Sequence, residues 1–258
     1  MKKEQGFTLI EIAIVVVIIG LLLGGVLKGQ EMIANAKVHN IIDASTSLKA
    51  SIAMFMDRYR SYPGDYDKAS TNIPGLTPGG ADDGNGNRLI GEDPTVALTD
   101  PLVATQRIKE VILAWKHLSV AGIIAGSYDG NLAHIGNAVA DPDFGWNCAT
   151  STCLPNGFNG SFFLVYGNEQ YGFPINGNDD NRKSELLFTG RQLPVQVLQQ
   201  IDIKLDDGFP STGLFRASDY FEKTAPQHCT RIADPGSVAP VIWNVIDQPS
   251  DCGGVHVM

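Results

Sequence analysis

The chain has 258 residues and a formal net charge of −9, which is length enough for one globular domain with an extension rather than two full domains. The acidic balance and the lack of any Lys/Arg cluster argue against a nucleic-acid binder, whose phosphate contacts need a basic patch. Most of the apolar excess lies in about the first thirty residues, and the rest of the chain is rich in Gly, Asn, Asp and Pro. The average composition therefore conceals a membrane segment.

Residues 1–6 are short and polar, carry Lys2 and Lys3, and lead directly into an apolar run of 21 residues, Phe7 to Leu27. As a helix that run is about 32 Å long, enough to cross a bilayer core. An ordinary secretory signal is cut after its apolar region at a small-residue site, and none follows Leu27. Lys2 and Lys3 hold their end in the cytoplasm, so the remainder faces outward. One residue does not suit a plain anchor: Glu11, four residues into the run. A carboxylate at such a depth costs about 2.5 to 3.5 kcal/mol and ordinarily marks a functional contact. In sequence, no basic residue lies within a turn or two on its C-terminal side.

The segment Gly6-Phe7-Thr8-Leu9-Ile10-Glu11 resembles the prepilin cleavage and methylation motif of type IV pilins and type II secretion pseudopilins. The resemblance implies that a prepilin peptidase cuts between Gly6 and Phe7, removing residues 1–6 as a leader, and methylates the new amine of Phe7. It also implies that Glu11 faces the N-terminal amine of a neighbouring subunit. The pairing is physically sensible, because a carboxylate in apolar surroundings is tolerable when paired and costly when not. Gly20 falls where pilins often carry a glycine, whereas a proline common in the family's stem is absent, position 28 being Lys28. The competing explanation, an uncleaved signal anchor that happens to contain Glu, does not account for the combination of basic leader, Gly-Phe and spaced acid.

Beyond the apolar run, Val38, Ile41, Ser45, Leu48, Ile52, Phe55 and Tyr59 recur at steps of three and four, which is one helical face. Pro63-Gly64 stops the pattern. One helix from Phe7 to about Tyr59 is expected, roughly 80 Å long. Its first half is apolar all round and, once out of lipid, can be covered only by other copies. Its second half has one apolar face to lay on a globular domain, where Phe55 and Tyr59 become core.

Residues Tyr62 to Thr99 read as turns and loop. Asp100-Pro101 predicts a helix N-cap and first-turn proline, with Leu102, Ile108, Val111, Ile112, Trp115 and Leu118 on a buried face ending at Gly122. Strands are expected at Phe162 to Tyr166, Tyr171 to Phe173, Leu186 to Thr189 and Leu214 to Arg216. A short helix is expected from Pro194 to Leu205, with Val195, Leu198, Ile201 and Leu205 on one side, closed by Asp206-Asp207-Gly208. Together these describe an α+β fold: a long N-terminal stem helix, transmembrane in its first half (7–27), covering 7–60, and a globular domain over 61–258 with a small antiparallel sheet. That layout agrees with the fold the resemblance implies. The stretch Ile201 to Pro210 also resembles a segment of larger pilin-like proteins, with no role attached.

The four cysteines, Cys148, Cys153, Cys229 and Cys252, lie outside the anchor and form no CxxC pair. An even count in an exported segment points to disulfides. Local pairing, Cys148 with Cys153 and Cys229 with Cys252, is the simplest of three possible connectivities. A zinc site borrowing His228 or His256 matches no common spacing.

Asp82, Asp83, Asn85 and Asn87 place oxygens at alternating positions, as calcium loops do, with Glu92 downstream, but Arg88 and Pro94 stand where that template needs Gly and Glu. Asn176, Asn178, Asp179 and Asp180 form a second cluster with the same defect. Some pseudopilins order a loop with calcium, so calcium is the alternative to plain polar turns, and no other cofactor is indicated. His39, His117, His134, His228 and His256 are scattered, and no GxSxG, HExxH or phosphate-binding glycine loop occurs, which argues against an enzyme.

The expectation is a non-catalytic subunit of a type IV pilus or type II secretion pseudopilus. The implied partners are a prepilin peptidase, an inner-membrane assembly platform, and self and other pilin-like subunits. The implied location is a single pass in a bacterial inner membrane with the globular domain in the periplasm, then a periplasmic or surface filament. The alternative is a minor or tip pilin that binds a surface, DNA or cargo.

Overall fold

A computed structural model describes residues 9–91, 101–131, 151–168, 183–190, 192–218, 229–232 and 241–258. Gly6, Phe7, Glu92, Pro94, Asp100, His134, Cys148, His228, the strand expected at 171–173 and the cluster at 176–180 lie outside the described residues, as do the side chains of Leu102 and Ile108.

Helix α1, Leu9–Tyr59, is a single helix of 51 residues. Lys28 leaves it uninterrupted, since Lys carries the backbone N–H a proline would remove; its ammonium pairs with Glu31 at 2.7 Å. The chain divides into two compact units, Met1–Asn40 and Ile41–Met258. In the first, the described residues are all α1, and Leu9, Ile10, Val15 to Ile19, Leu21 to Leu23, Val26 and Leu27 are exposed. In the second, the predicted face of α1 is covered: Ile41, Ser45, Leu48, Ile52 and Phe55 are buried. Phe55 and Tyr59 lie ring to ring at a tilt of 43°, with centroids 4.6 Å apart.

Gly64 turns the chain off the stem with φ 90. A side chain there would collide with the carbonyl of Glu110, so glycine lets the turn lie against the next long helix. The stretch from 62 to 91 is not all loop: it contains one short helix, α2 (Ala69–Asn72). Helix α3, Pro101–Val120, buries Val111, Ile112, Trp115 and Leu118 as the periodicity predicts.

The four-stranded sheet is antiparallel and ordered β1-β2-β6-β3, from β1 (Phe163–Asn168), β2 (Lys183–Phe188), β3 (Phe215–Ala217) and β6 (Gly254–Val257). Register sets Leu164 opposite Leu187 and Tyr166 opposite Glu185. Phe188 faces Val255, and Phe215 faces His256. Helix α4 (Val195–Leu205) buries Val195, Leu198 and Ile201, but Leu205 is exposed rather than on the buried side. A two-stranded ribbon of β4 (Thr230–Ile232) and β5 (Val241–Trp243) completes the described elements. Strands β4, β5 and β6 are too short to show a period of two, so only their partners identify them. The α+β layout is as expected.

Candidate processing and assembly site

The stem is where chemistry and exposure coincide. Its apolar residues are long enough and apolar enough to cross a membrane, and that stretch is wholly exposed. An unburied face of this extent belongs in lipid or against another protein. Glu11 stands in the first turn of α1, where a carboxylate suits the positive end of the helix dipole.

The globular unit uses its polar residues to fasten loops. Asp82 receives the Lys116 ammonium at 2.6 Å and the Thr77 N–H at 2.7 Å. The hydrogen bonds hold its carboxyl below the usual carboxylate range against the opposing effect of burial. Asp83 accepts both the N–H and the hydroxyl of Ser70, at 2.6 and 3.0 Å. Asn85 and Asn87 each accept the N–H two residues on, the pattern of an Asx turn. The four candidate calcium ligands thus all serve as acceptors for their own chain.

Sequence reasoning missed the buried acids beneath this loop. Glu110 on α3 accepts the N–H of Asn85 at 3.0 Å and of Gly91 at 2.9 Å. Asp65 accepts the N–H of Arg88 at 2.8 Å, and Glu185 on β2 accepts that of Ile90 at 3.4 Å. Burial pushes the Asp65 carboxyl up to about 6 against these backbone bonds. Burial, with the nearby charges of Asp65 and Glu110, pushes that of Glu185 up to about 8. A signal existed in α3: Glu110, Leu113, Ala114 and His117 share one helical face, and all four are buried. His117 is a clasp. Its Nδ1 accepts the Gly64 N–H at 2.9 Å, so the proton sits on Nε2 and is donated to the Asp82 carbonyl at 2.7 Å. Burial lowers its pKa to about 4.

Cys229 and Cys252 form a disulfide; Cys153 is also disulfide-bonded, to a partner outside the described residues. His256, offered as a zinc ligand, is buried on β6 against the Phe215 ring, with centroids 4.7 Å apart. Among the described residues the one convergent acidic group is Asp202, Asp206 and Asp207, with oxygens within 4.8 Å of one another. It falls within the stretch Ile201 to Pro210. Its members serve local structure: Asp202 accepts from Trp243 at 2.7 Å and Gly208 at 3.3 Å, Asp206 from Phe215 at 3.0 Å, and Asp207 from Phe209 at 2.9 Å.

Residues 1–27 match the family described as the prokaryotic N-terminal methylation motif, the signature of type IV pilins and pseudopilins. No curated protein and no solved structure matches the chain.

Proposed function

We propose that the protein is an exported pilin-like subunit that is cut after Gly6, methylated on Phe7 and assembled through its stem into a helical filament. The observation that carries this is a coincidence: the methylation motif at residues 1–27 opens a helix whose apolar stretch is wholly exposed. A prepilin peptidase and an inner-membrane assembly platform act on it, and a membrane holds the stem until other copies cover it. The globular unit then faces the periplasm, and the filament lies in the periplasm or at the surface. In this mechanism the oily surface of α1 supplies cohesion, because each copy removes another's apolar area from solvent or lipid. Glu11 supplies register, because a carboxylate in an otherwise apolar stretch favours the position where a neighbour's Phe7 amine meets it. The role is structural rather than catalytic, a reading supported by the motif at residues 1–27, whose family is structural.

Mass spectrometry of the subunit recovered from cells tests the first step. A chain beginning at methylated Phe7 supports it, and a chain with Met1 to Gly6 still attached, despite an active peptidase, refutes it. A minor or tip subunit that binds a surface, DNA or cargo is the second version of the same function. It is favoured by the long Gly- and Asn-rich segments and the disulfides of the globular unit. Abundance in sheared filaments separates the two, since a bulk subunit dominates that fraction and a tip binder is scarce in it.

A further inference from the structure

The four-stranded sheet ends on β1 and β3, and the outer side of an end strand offers N–H groups to which another copy can pair. On β3 those groups are taken. Phe215 and Ala217 stand two apart in the strand and so face the same way. They donate their N–H groups to the Asp206 carboxylate at 3.0 Å and the Pro210 carbonyl at 2.9 Å. At the other end of the sheet, Tyr166 donates to the Ile90 carbonyl at 2.8 Å, and Phe162, just ahead of β1, donates to the Leu154 carbonyl at 2.8 Å.

Both acceptors on β3 come from the turn after α4. Asp206 takes the Leu214 N–H as well as that of Phe215. Gly213, at φ 75, makes room for it, since a side chain there would strike the carboxylate. Asp202 and Asp207 brace the same turn: they accept the N–H of Gly208 at 3.3 Å and that of Phe209 at 2.9 Å. These bonds fix the piece of chain that carries Pro210 to Ala217.

We propose that residues 206–210 form a strap that closes the outer side of β3 against strand addition by a second copy of this chain. An incoming strand has to displace two hydrogen bonds before it can form its own. The strap gives the stretch Ile201 to Pro210 a role: it keeps contact between copies to surfaces other than this sheet edge. The crowding that makes such a guard matter rests on the filament reading, whereas the bonds of the strap do not.

The experiment uses the full chain in detergent micelles and follows amide exchange by NMR across about a tenfold range of protein concentration. In the wild-type chain Phe215 and Ala217 should be protected, equally at every concentration; exchange there as fast as from an open strand would overturn the proposal. In Asp206→Ala, which removes one acceptor, protection at Phe215 should fall by about tenfold or more when dilute and return as concentration rises. Light scattering on the same samples should show particles growing beyond those of the wild type, whose identical stem controls for association through α1. A folded Asp206→Ala chain of wild-type particle size, with protection at Phe215 independent of concentration, would overturn the proposal and leave Asp206 a contact of its own loop. If that variant does not fold, the wild-type exchange decides alone. No step needs a filament, so failure here would leave the filament reading standing.

Discussion

Trp243 donates its indole N–H to Asp202 at 2.7 Å, joining the two-stranded ribbon to helix α4 through two buried side chains. Asp202 also accepts the Gly208 N–H at 3.3 Å, so one carboxylate organises both the ribbon and the turn after α4. Replacing Asp202 with Ala strands the indole donor in a dry site and should cost about 1–3 kcal/mol. Asp202→Asn, which keeps an acceptor, should cost less. Denaturant midpoints of the two variants provide the check, and equal midpoints would mean that the indole bond contributes nothing.

The Cys229–Cys252 bridge closes a 23-residue separation and binds the start of β4 to the segment leading into β6. Leu193 and Cys252 exchange backbone hydrogen bonds at 3.0 and 3.1 Å, which fixes the bridge against the entry to α4 as well. The Cys229→Ser/Cys252→Ser double variant should lose about 2–5 kcal/mol. Unfolding in denaturant should show the loss without added reductant.

His117 makes the acid limb of stability. Its neutral ring accepts from Gly64 through Nδ1, and a second proton there destroys that bond. With its pKa lowered to about 4 in the fold and near 6.5 when unfolded, the unfolded state binds more protons between those values. Stability from this group is therefore full above the upper value and drains away as pH falls through it to about 4. The His117 ring resonances should titrate near 4, and the melting temperature should drop on acidification through this interval.

For Glu11, alanine substitution should leave an exported, cleaved subunit whose polymers are at least about tenfold scarcer. Removing one partner of an ion pair in an apolar environment costs about 3–5 kcal/mol, ample for that loss. Quantifying subunit in sheared filaments against total subunit measures it. Wild-type yield from Glu11→Ala would end the charge role.

The stem was legible because it repeats. Ile41, Leu48, Ile52 and Phe55 follow a 3.6-residue period through several turns, and the apolar run from Phe7 to Leu27 is long. The face of α3 around Trp115 was legible for the same reason. The closing strand was not, since β6 occupies only Gly254–Val257 and is recognisable only from the strands at its sides. The turn-rich region before Glu92 looked like solvated loop or a calcium loop because Asp82, Asp83, Asn85 and Asn87 are visible in one short run. The residues that fasten it, Asp65, Glu110 and Glu185, are up to 120 positions apart, counting from 65 to 185. Nothing local in a sequence announces a cluster assembled across such a distance.

The place of β6 between β2 and β3 bears on how the domain reaches its final form. Phe188 pairs with Val255, so a strand must wait for a segment far along the chain before its second side is occupied. Until residues 254–257 arrive, β2 and β3 each present bare amides and carbonyls to whatever lies nearby. A chain that has not yet received its last residues therefore passes through a stage with two sticky margins, vulnerable to mispairing with its neighbours. The closing strand is a late keystone, and defects in it should surface as clumping during biogenesis before they surface as weakness in the finished fold.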